Sequence, residues 1–338
     1  MSDQVYCSIA ELWADLEVQG FEDVPNTLRK IRSASEWIQR KLGTFIPVTK
    51  TVWYDGNGAG DLFIEPILST PTIVHDGKTL ETTDYILYPR DKHWEDGPYT
   101  RLGVDPDSTA LSVWKRERDV VSVLSSHGKY IKTVVTGATV QDDPLASGGV
   151  TLVVDNGGLV SPGDSLLIET EQILVLDYSG SGSDTTKNLA AAAAANDTVL
   201  TLESGHALNA GEIIRIDNEI MGVVRTEGAT KVYVERQWAG TLRASHSNAA
   251  DVYVYRTFSI ERAINGTTAA AHVKTTAISK YRAPYPVHYL AVQIAALMIK
   301  KAKTGFVGKT MDIEEGAMFY HNEFPKSVYK EVMNAYRC

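Results

Sequence analysis

The sequence predicts an α+β fold: helices and β-hairpins from the two ends of the chain, with an all-β region of two nested small β modules inserted between them. Three observations lead there. Apolar residues recur at helical spacing near both termini. After Phe45 the period changes to that of strands. Residues 135–283 then repeat themselves at two different offsets. The reading divides the chain into a discontinuous core, 1–134 with 284–338, and an insertion, 135–283.

The first helix opens at Ser8, with Glu11 three residues on, the spacing of a capping box. Ile9, Leu12, Trp13 and Leu16 form one buried face, and Gly20 ends the pattern. A second helix starts near Pro25, a favoured first-turn residue, and stops at Gly43. Leu28, Ile31, Ser35, Ile38 and Leu42 line its inner side; Arg29, Lys30, Arg32, Arg40 and Lys41 cover the other. That basic side is a solvated face or a contact for an acidic partner or DNA. Strands follow at Val48–Tyr54, Asp61–Ile64, Thr72–His75, Tyr85–Tyr88 and Val120–Leu124, joined by Gly-rich turns. The glycine string at Gly56, Gly58 and Gly60 is no phosphate loop, because a strand and not a helix follows it. Near the far end, Pro284 and Pro286 introduce an apolar helix that closes at Gly305, and an amphipathic segment, Lys326–Arg337, ends the chain, its stripe packing within its own subunit or docking in a partner's groove.

Within the insertion, Thr151–Tyr178 aligns without gaps on Val199–Thr226 at a constant shift of 48. Glu171 matches Glu219, and Gly163 matches Gly211. Glu235, Arg236, Gly240, Thr241, Ala244 and His246 recur as Glu261, Arg262, Gly266, Thr267, Ala270 and His272, at a shift of 26. Two shifts are incompatible with a simple tandem array and fit nesting. One module, 149–180 with 258–283, is interrupted by a complete second copy at 184–257. Nesting requires strand 258–263 to pair with the 150–178 unit. The run Ala190–Ala195 is too short for an isolated helix and is read as a loop.

Composition excludes several classes. A net charge of −9 does not suit a dedicated nucleic-acid binder. Cys7 and Cys338 make neither a disulfide framework nor a zinc site and are expected to be free thiols. No signal-peptide pattern opens the chain, and the longest uncharged helical run, Val287–Ile299, is too short to span a bilayer. A soluble protein made in a cytoplasm is expected. No nucleophile elbow, zinc-protease helix or P-loop occurs, so no enzyme, cofactor or metal is expected. The pairs Glu169/Glu171 and Asp217/Glu219 stand two apart on strands and share a face. They are half a calcium site at most, and the plainer reading is a solvated strand face with one Glu bonding a loop. His246 and His272 occupy equivalent places, which suggests a structural role such as closing the Gly-Thr loop. His93-Trp94-Glu95-Asp96 lies among turn residues without a catalytic partner.

Several of these residues, taken in order, resemble a known family. They are Ser8-Ile9-Ala10-Glu11-Leu12, Ala34-Ser35-Glu36-Trp37-Ile38, Trp53-Tyr54-Asp55-Gly56, Pro66-Ile67-Leu68-Ser69, His75-Asp76-Gly77, Asp84-Tyr85-Ile86-Leu87-Tyr88-Pro89 and the Pro-led helix ending near Lys303. The pattern is similar to the head–tail connector, or adaptor, proteins of long-tailed bacteriophages, over 5–130 and 284–338. The segment Gly211–Met221 with Val234-Glu235-Arg236, Gly240-Thr241 and His246 is similar to small β modules of phage virion proteins, which are structural or adhesive.

The resemblance implies a helical connector core and a virion protein of the neck, made in the host cytoplasm. It implies a homo-oligomeric ring, usually of twelve subunits, between the portal and a tail or stopper protein. Double-stranded DNA passes through its lumen without sequence-specific binding. It also implies that the C-terminal segment docks on the portal through Phe324, Val328, Tyr329, Val332, Met333 and Tyr336. Two other readings stand beside it: a tail-completion or baseplate adhesive protein, and a β-rich carbohydrate-active or cell-wall-cleaving enzyme. The latter needs a converging carboxylate pair that the sequence does not display.

Overall fold

The computed structural model describes residues 4–16, 23–90, 98–304, 309–311, 318–320 and 326–336. The chain is mostly β, which overturns the expectation of a helical connector core. Among the described residues four helices stand against three large antiparallel sheets. The hairpins are not appendages of a helical body. They bury Leu62, Ile67, Ile73, Leu102, Trp114, Val121 and Val123 in a core of their own. Strands with enough apolar residues on one face close on each other rather than on the helices.

The helices are α1 (Ile9–Leu16), α2 (Val24–Leu42), α3 (Tyr285–Thr304) and α4 (Lys326–Tyr336). The capping box forms: Glu11 accepts from the Ser8 N–H at 2.8 Å, and the Glu11 N–H reaches Ser8 Oγ at 3.4 Å. Asp23 caps α2 by accepting from Asn26 N–H. Helices from both ends of the chain share one core, with Ile9, Leu12, Ile31 and Ile38 against Val287, Leu290, Ala291 and Val332. Cys7 is a free thiol buried at its edge. Among the described residues no helix is long and apolar enough to cross a membrane.

A seven-stranded sheet follows α2. Its strands are β1 (Val48–Tyr54), β2 (Asp61–Ile67), β3 (Thr72–His75), β4 (Lys78–Thr79), β5 (Tyr85–Tyr88), β6 (Tyr99–Val104) and β7 (Val121–His127). The order is β4-β3-β7-β2-β6-β5, and β1 also pairs with β7.

The proximal module comprises β8 (Thr133–Thr139), β9 (Thr151–Val153), β10 (Ser165–Ile168) and β11 (Glu171–Tyr178). The distal module comprises β12 (Ser183–Asn188), β13 (Val199–Thr201), β14 (Ile213–Ile216), β15 (Glu219–Glu227), β16 (Lys231–Trp238) and β17 (Asp251–Val254). The chain then returns to the proximal module as β18 (Thr257–Glu261) and β19 (Ala277–Tyr281). The two strand orders are β8-β19-β10-β11-β18-β9 and β12-β17-β14-β15-β16-β13, the same sequence of roles. A bridge between Val140 and Val154 joins the edge strands of the first; Leu189 and Leu202 do the same in the second. Thus Thr257–Glu261 pairs with β11 and β9, not with the distal sheet. The distal module occupies the place of the turn between β11 and β18, equivalent to its own β15–β16 turn. The proximal sheet also takes in β8, which begins at Thr133, ahead of the repeat legible in the sequence.

Each module attaches by the same corner. In the proximal copy, Ile9 N–H donates to Pro162 O at 2.9 Å and Ala10 N–H to Ser161 Oγ at 3.2 Å, so residues 161–164 seat on the start of α1. In the distal copy the counterpart is Asn209–Glu212, and it seats on the proximal module. Glu212 accepts from Gly157 N–H at 3.1 Å. Arg256, on the return crossing, donates to Glu212 at 2.6 and 2.9 Å. The backbones approach so closely that only glycine fits: a Cβ on Gly157 would lie 2.1 Å from Tyr255 O, and one on Gly158 2.6 Å from the Gly211 carbonyl carbon.

Gly157→Ala should therefore destabilise the protein by about 1–3 kcal/mol in urea denaturation, as overpacking does. Gly148→Ala, with open space around its Cβ, should stay within about 0.5 kcal/mol of the parent.

Candidate functional site

A buried charged cluster is present twice, once per module. In the distal copy Glu219 opens β15 and Arg236 stands near the end of β16. Arg236 donates to both Glu219 oxygens, from Nε at 2.7 Å and Nη2 at 2.6 Å. Its remaining donors reach the carbonyls of Ala194, Asp197 and Ala244. Glu219 also accepts from the N–H groups of Gln237 at 3.2 Å and Ala244 at 2.9 Å. His246 places Nε2 3.1 Å from Glu219 and Nδ1 2.7 Å from Asp217.

The proximal copy repeats this with Glu171, Arg262, Ala263, Ala270, His272 and Glu169. Arg262 Nε donates to Glu171 at 2.7 Å, and His272 lies 2.8 Å from both Glu171 and Glu169. The backbone of each histidine pairs with a neighbouring loop, at Ala193 and at Leu145.

The outer carboxylates of the pairs, Glu169 and Asp217, are more than half exposed, whereas the inner ones, Glu171 and Glu219, are fully buried: each bonds a loop, accepting from the Ala270 and Ala244 N–H groups, and Arg262 and Arg236 neutralise them. The histidines do not close the Gly-Thr loops. The threonines do so themselves: Thr241 donates to Trp238 O at 2.7 Å and Thr267 to Ile264 O at 2.9 Å. Each Thr hydroxyl then accepts from the strand opposite, at Ile220 N–H and Gln172 N–H. Gly240 and Gly266 supply the left-handed backbone these turns need, with φ of 71° and 77°.

Burial by itself would raise the Glu171 and Glu219 pKa values. The Arg262 and Arg236 hydrogen bonds and the backbone N–H donors overcome it and hold both near 2, against an ordinary 4.5. The other acid at a repeated corner, Asp164, goes the opposite way. Burial pushes it up to about 6, opposed by Lys280 Nζ at 3.3 Å.

Chemically, a histidine beside two carboxylates has the parts of a general base. Here both ring nitrogens are occupied and the side chains are 0% and 1% exposed, so neither faces a substrate. Calcium is no better placed, since the inner carboxylate of each pair is already saturated by donors. Among the described residues no group of three or more His, Cys, Asp or Glu side chains could hold a metal ion. The clusters are staples.

Of the C-terminal stripe, Val332 is buried, and Val328, Tyr329 and Met333 pack on the helical core. The Tyr329 ring lies 5.3 Å from Trp37. Tyr336 ends α4, and Phe324 lies outside the described residues, as do His93-Trp94-Glu95-Asp96 and Cys338. On the basic side of α2, Arg32 reaches Glu261 of the proximal module at 3.1 Å, and Arg40 pairs with Glu36 along the helix. Sequence reasoning missed the Glu212–Arg256 latch. The repeat aligns Glu212 with Asp164 and so signals the corner, but only the packing brings Arg256 to it.

Arg236→Leu or Arg262→Leu should cost about 3–5 kcal/mol, because either leaves a buried carboxylate without its cation. Thermal and urea unfolding would read the loss. Because Glu171 and Glu219 titrate lower folded than unfolded, their contribution is complete above pH 4.5 and disappears as the pH falls through about 2. Circular dichroism across that window should show stability decreasing with acid. Comparison of the sequence with protein-family models and with curated proteins finds no match.

Proposed function

We propose that this protein is a structural subunit of a tailed-phage neck, forming a homo-oligomeric ring between the portal and the tail or stopper and letting DNA pass. The observation that carries the reading is the way the two ends of the chain meet. Helices α1 and α2 from the first 42 residues and α3 and α4 from the last 54 share one core. The connector-like motifs lie on those helices and on the seven-stranded sheet between them, while the two β modules form a separate elaboration. The charged clusters serve the modules' own architecture, as expected of a scaffold. A net charge of −9 suits a lumen that does not grip DNA.

With its stripe turned inward, α4 acts in portal docking as a folded element. Its outward residues Lys330, Glu331 and Asn334 are the contact.

Light scattering and negative-stain imaging of the purified chain, alone and with the portal protein of the same virus, test this. A closed annulus that binds the portal is expected. Monomers that ignore the portal would refute the ring, and binding to tail tubes instead would assign the chain to tail completion. Reversing Lys330 and Glu331 (Lys330→Glu with Glu331→Lys) should weaken portal docking while leaving the fold intact.

A further inference from the structure

The two module corners hold their acids with different cations. Asp164 and Glu212 match at the shift of 48. Glu212 faces the guanidinium of Arg256, which keeps its charge and makes a permanent ion pair. Asp164 faces the amine of Lys280 on β19, with Nζ 3.3 Å from both carboxylate oxygens. The distal module has no such lysine: the residue matching Lys280 at the shift of 26 is Val254. Strand pairing fixes the approach, because β10 and β19 set Lys280 opposite Leu166, two residues beyond Asp164.

The surroundings suit more than an ion pair. Asp164 is withdrawn from water, with 6% of its side chain exposed against 25% for Lys280. Its Oδ2 accepts from Ser161 N–H at 2.9 Å, a donor aimed at the oxygen on which charge develops when the carboxyl carbon is attacked. Glu11, Asp164 and Lys280 line one cavity of about 20 Å³, room for a single water. Burial pushes the Asp164 carboxyl up to about 6; Lys280 opposes the rise and the Glu11 charge adds to it. The neutral acid is therefore within reach near neutral pH.

We infer that Lys280 and Asp164 join in the folded protein as a side-chain amide, an isopeptide bond between β19 and the corner before β10. A proton first passes within the pair from the ammonium to the carboxylate, leaving an amine and an acid. The Nζ lone pair then attacks Cγ, and the bond from Cγ to the protonated oxygen breaks. That oxygen leaves as water, taking a second proton from Nζ. Nothing is oxidised or reduced, and no co-reactant is consumed. A desolvated lysine amine is a competent nucleophile, and groups held about 3–3.5 Å apart react as if at very high concentration. The bond closes a loop across 116 residues. It ties the two halves of the proximal module together around the whole inserted distal module, where a cross-link restricts the unfolded chain most. The inference is independent of the ring reading, since it uses no residue of a subunit contact proposed above.

Denaturing mass spectrometry of the purified full chain tests this. The parent should weigh one water less than its sequence. Trypsin should leave Lys280 uncut, with peptide 275–282 joined to peptide 133–187. Lys280→Arg keeps a cation beside Asp164 but removes the primary amine; it should restore the full mass and release 133–187 unlinked. Asp164→Ala should do the same. Lys274→Arg, at an exposed position of the preceding loop, should keep the link. A parent of full sequence mass, cut after Lys280 and with 133–187 free, would overturn the inference. So would a loss of water that persists in Lys280→Arg. Should a variant fail to fold, the digest of the parent decides by itself: an unlinked 133–187 sinks the bond.

Discussion

The structure depends on a buried ion pair made twice. Glu219–Arg236 and Glu171–Arg262 each tie the start of one strand to the end of another, and each pair is saturated by backbone groups and a histidine. A buried pair of this kind adds little net stability over a well-packed apolar core, but breaking one half of it is severe. Its effect is therefore to specify geometry. Only one arrangement of strands brings the arginine fork, the two N–H donors and the imidazole to the same carboxylate.

The two copies face different folding problems. In the distal module the paired residues are 17 apart, and in the proximal module 91 apart, because the distal module lies between them. Closing the longer loop costs more chain entropy, although the cost grows only slowly with length. Local pairings form faster than distant ones. The physical expectation is that the distal module assembles first and shortens the effective loop that the proximal module has to close. Insertion at a hairpin turn permits this, because the two ends of the inserted unit emerge side by side on β12 and β17.

Attachment follows one rule applied in series. A corner, 161–164 or 209–212, docks on whatever precedes it: α1 for the proximal module, the proximal module for the distal one. Backbone-to-backbone contact at Gly157 and Gly158 makes the second junction tight on one side. On the other side, Trp238 stands where the first module has Ile264 and lines a cavity between the modules and α1. The same module thus serves once as a seated part of the body and once as a unit held by the module it interrupts.

Much of this was legible in the sequence. The capping box at Ser8 and Glu11, the helix from Pro25 to Gly43 and the strands at Val48–Tyr54 and Tyr85–Tyr88 follow from local periodicity and turn chemistry, which act over a few residues. The offsets of 48 and 26 marked Glu171, Glu219, His246 and His272 as equivalent, because repeated roles keep repeated residue types. What those residues do was not legible, since a carboxylate on a strand looks the same facing water or facing an arginine 91 residues away. Nor could the sequence decide that the hairpins form a sheet with its own core, that β8 joins the proximal module, or that the apolar stripe of α4 turns inward. Those outcomes are set by which apolar faces meet, and only tertiary packing chooses among faces that local sequence leaves equally able to pair.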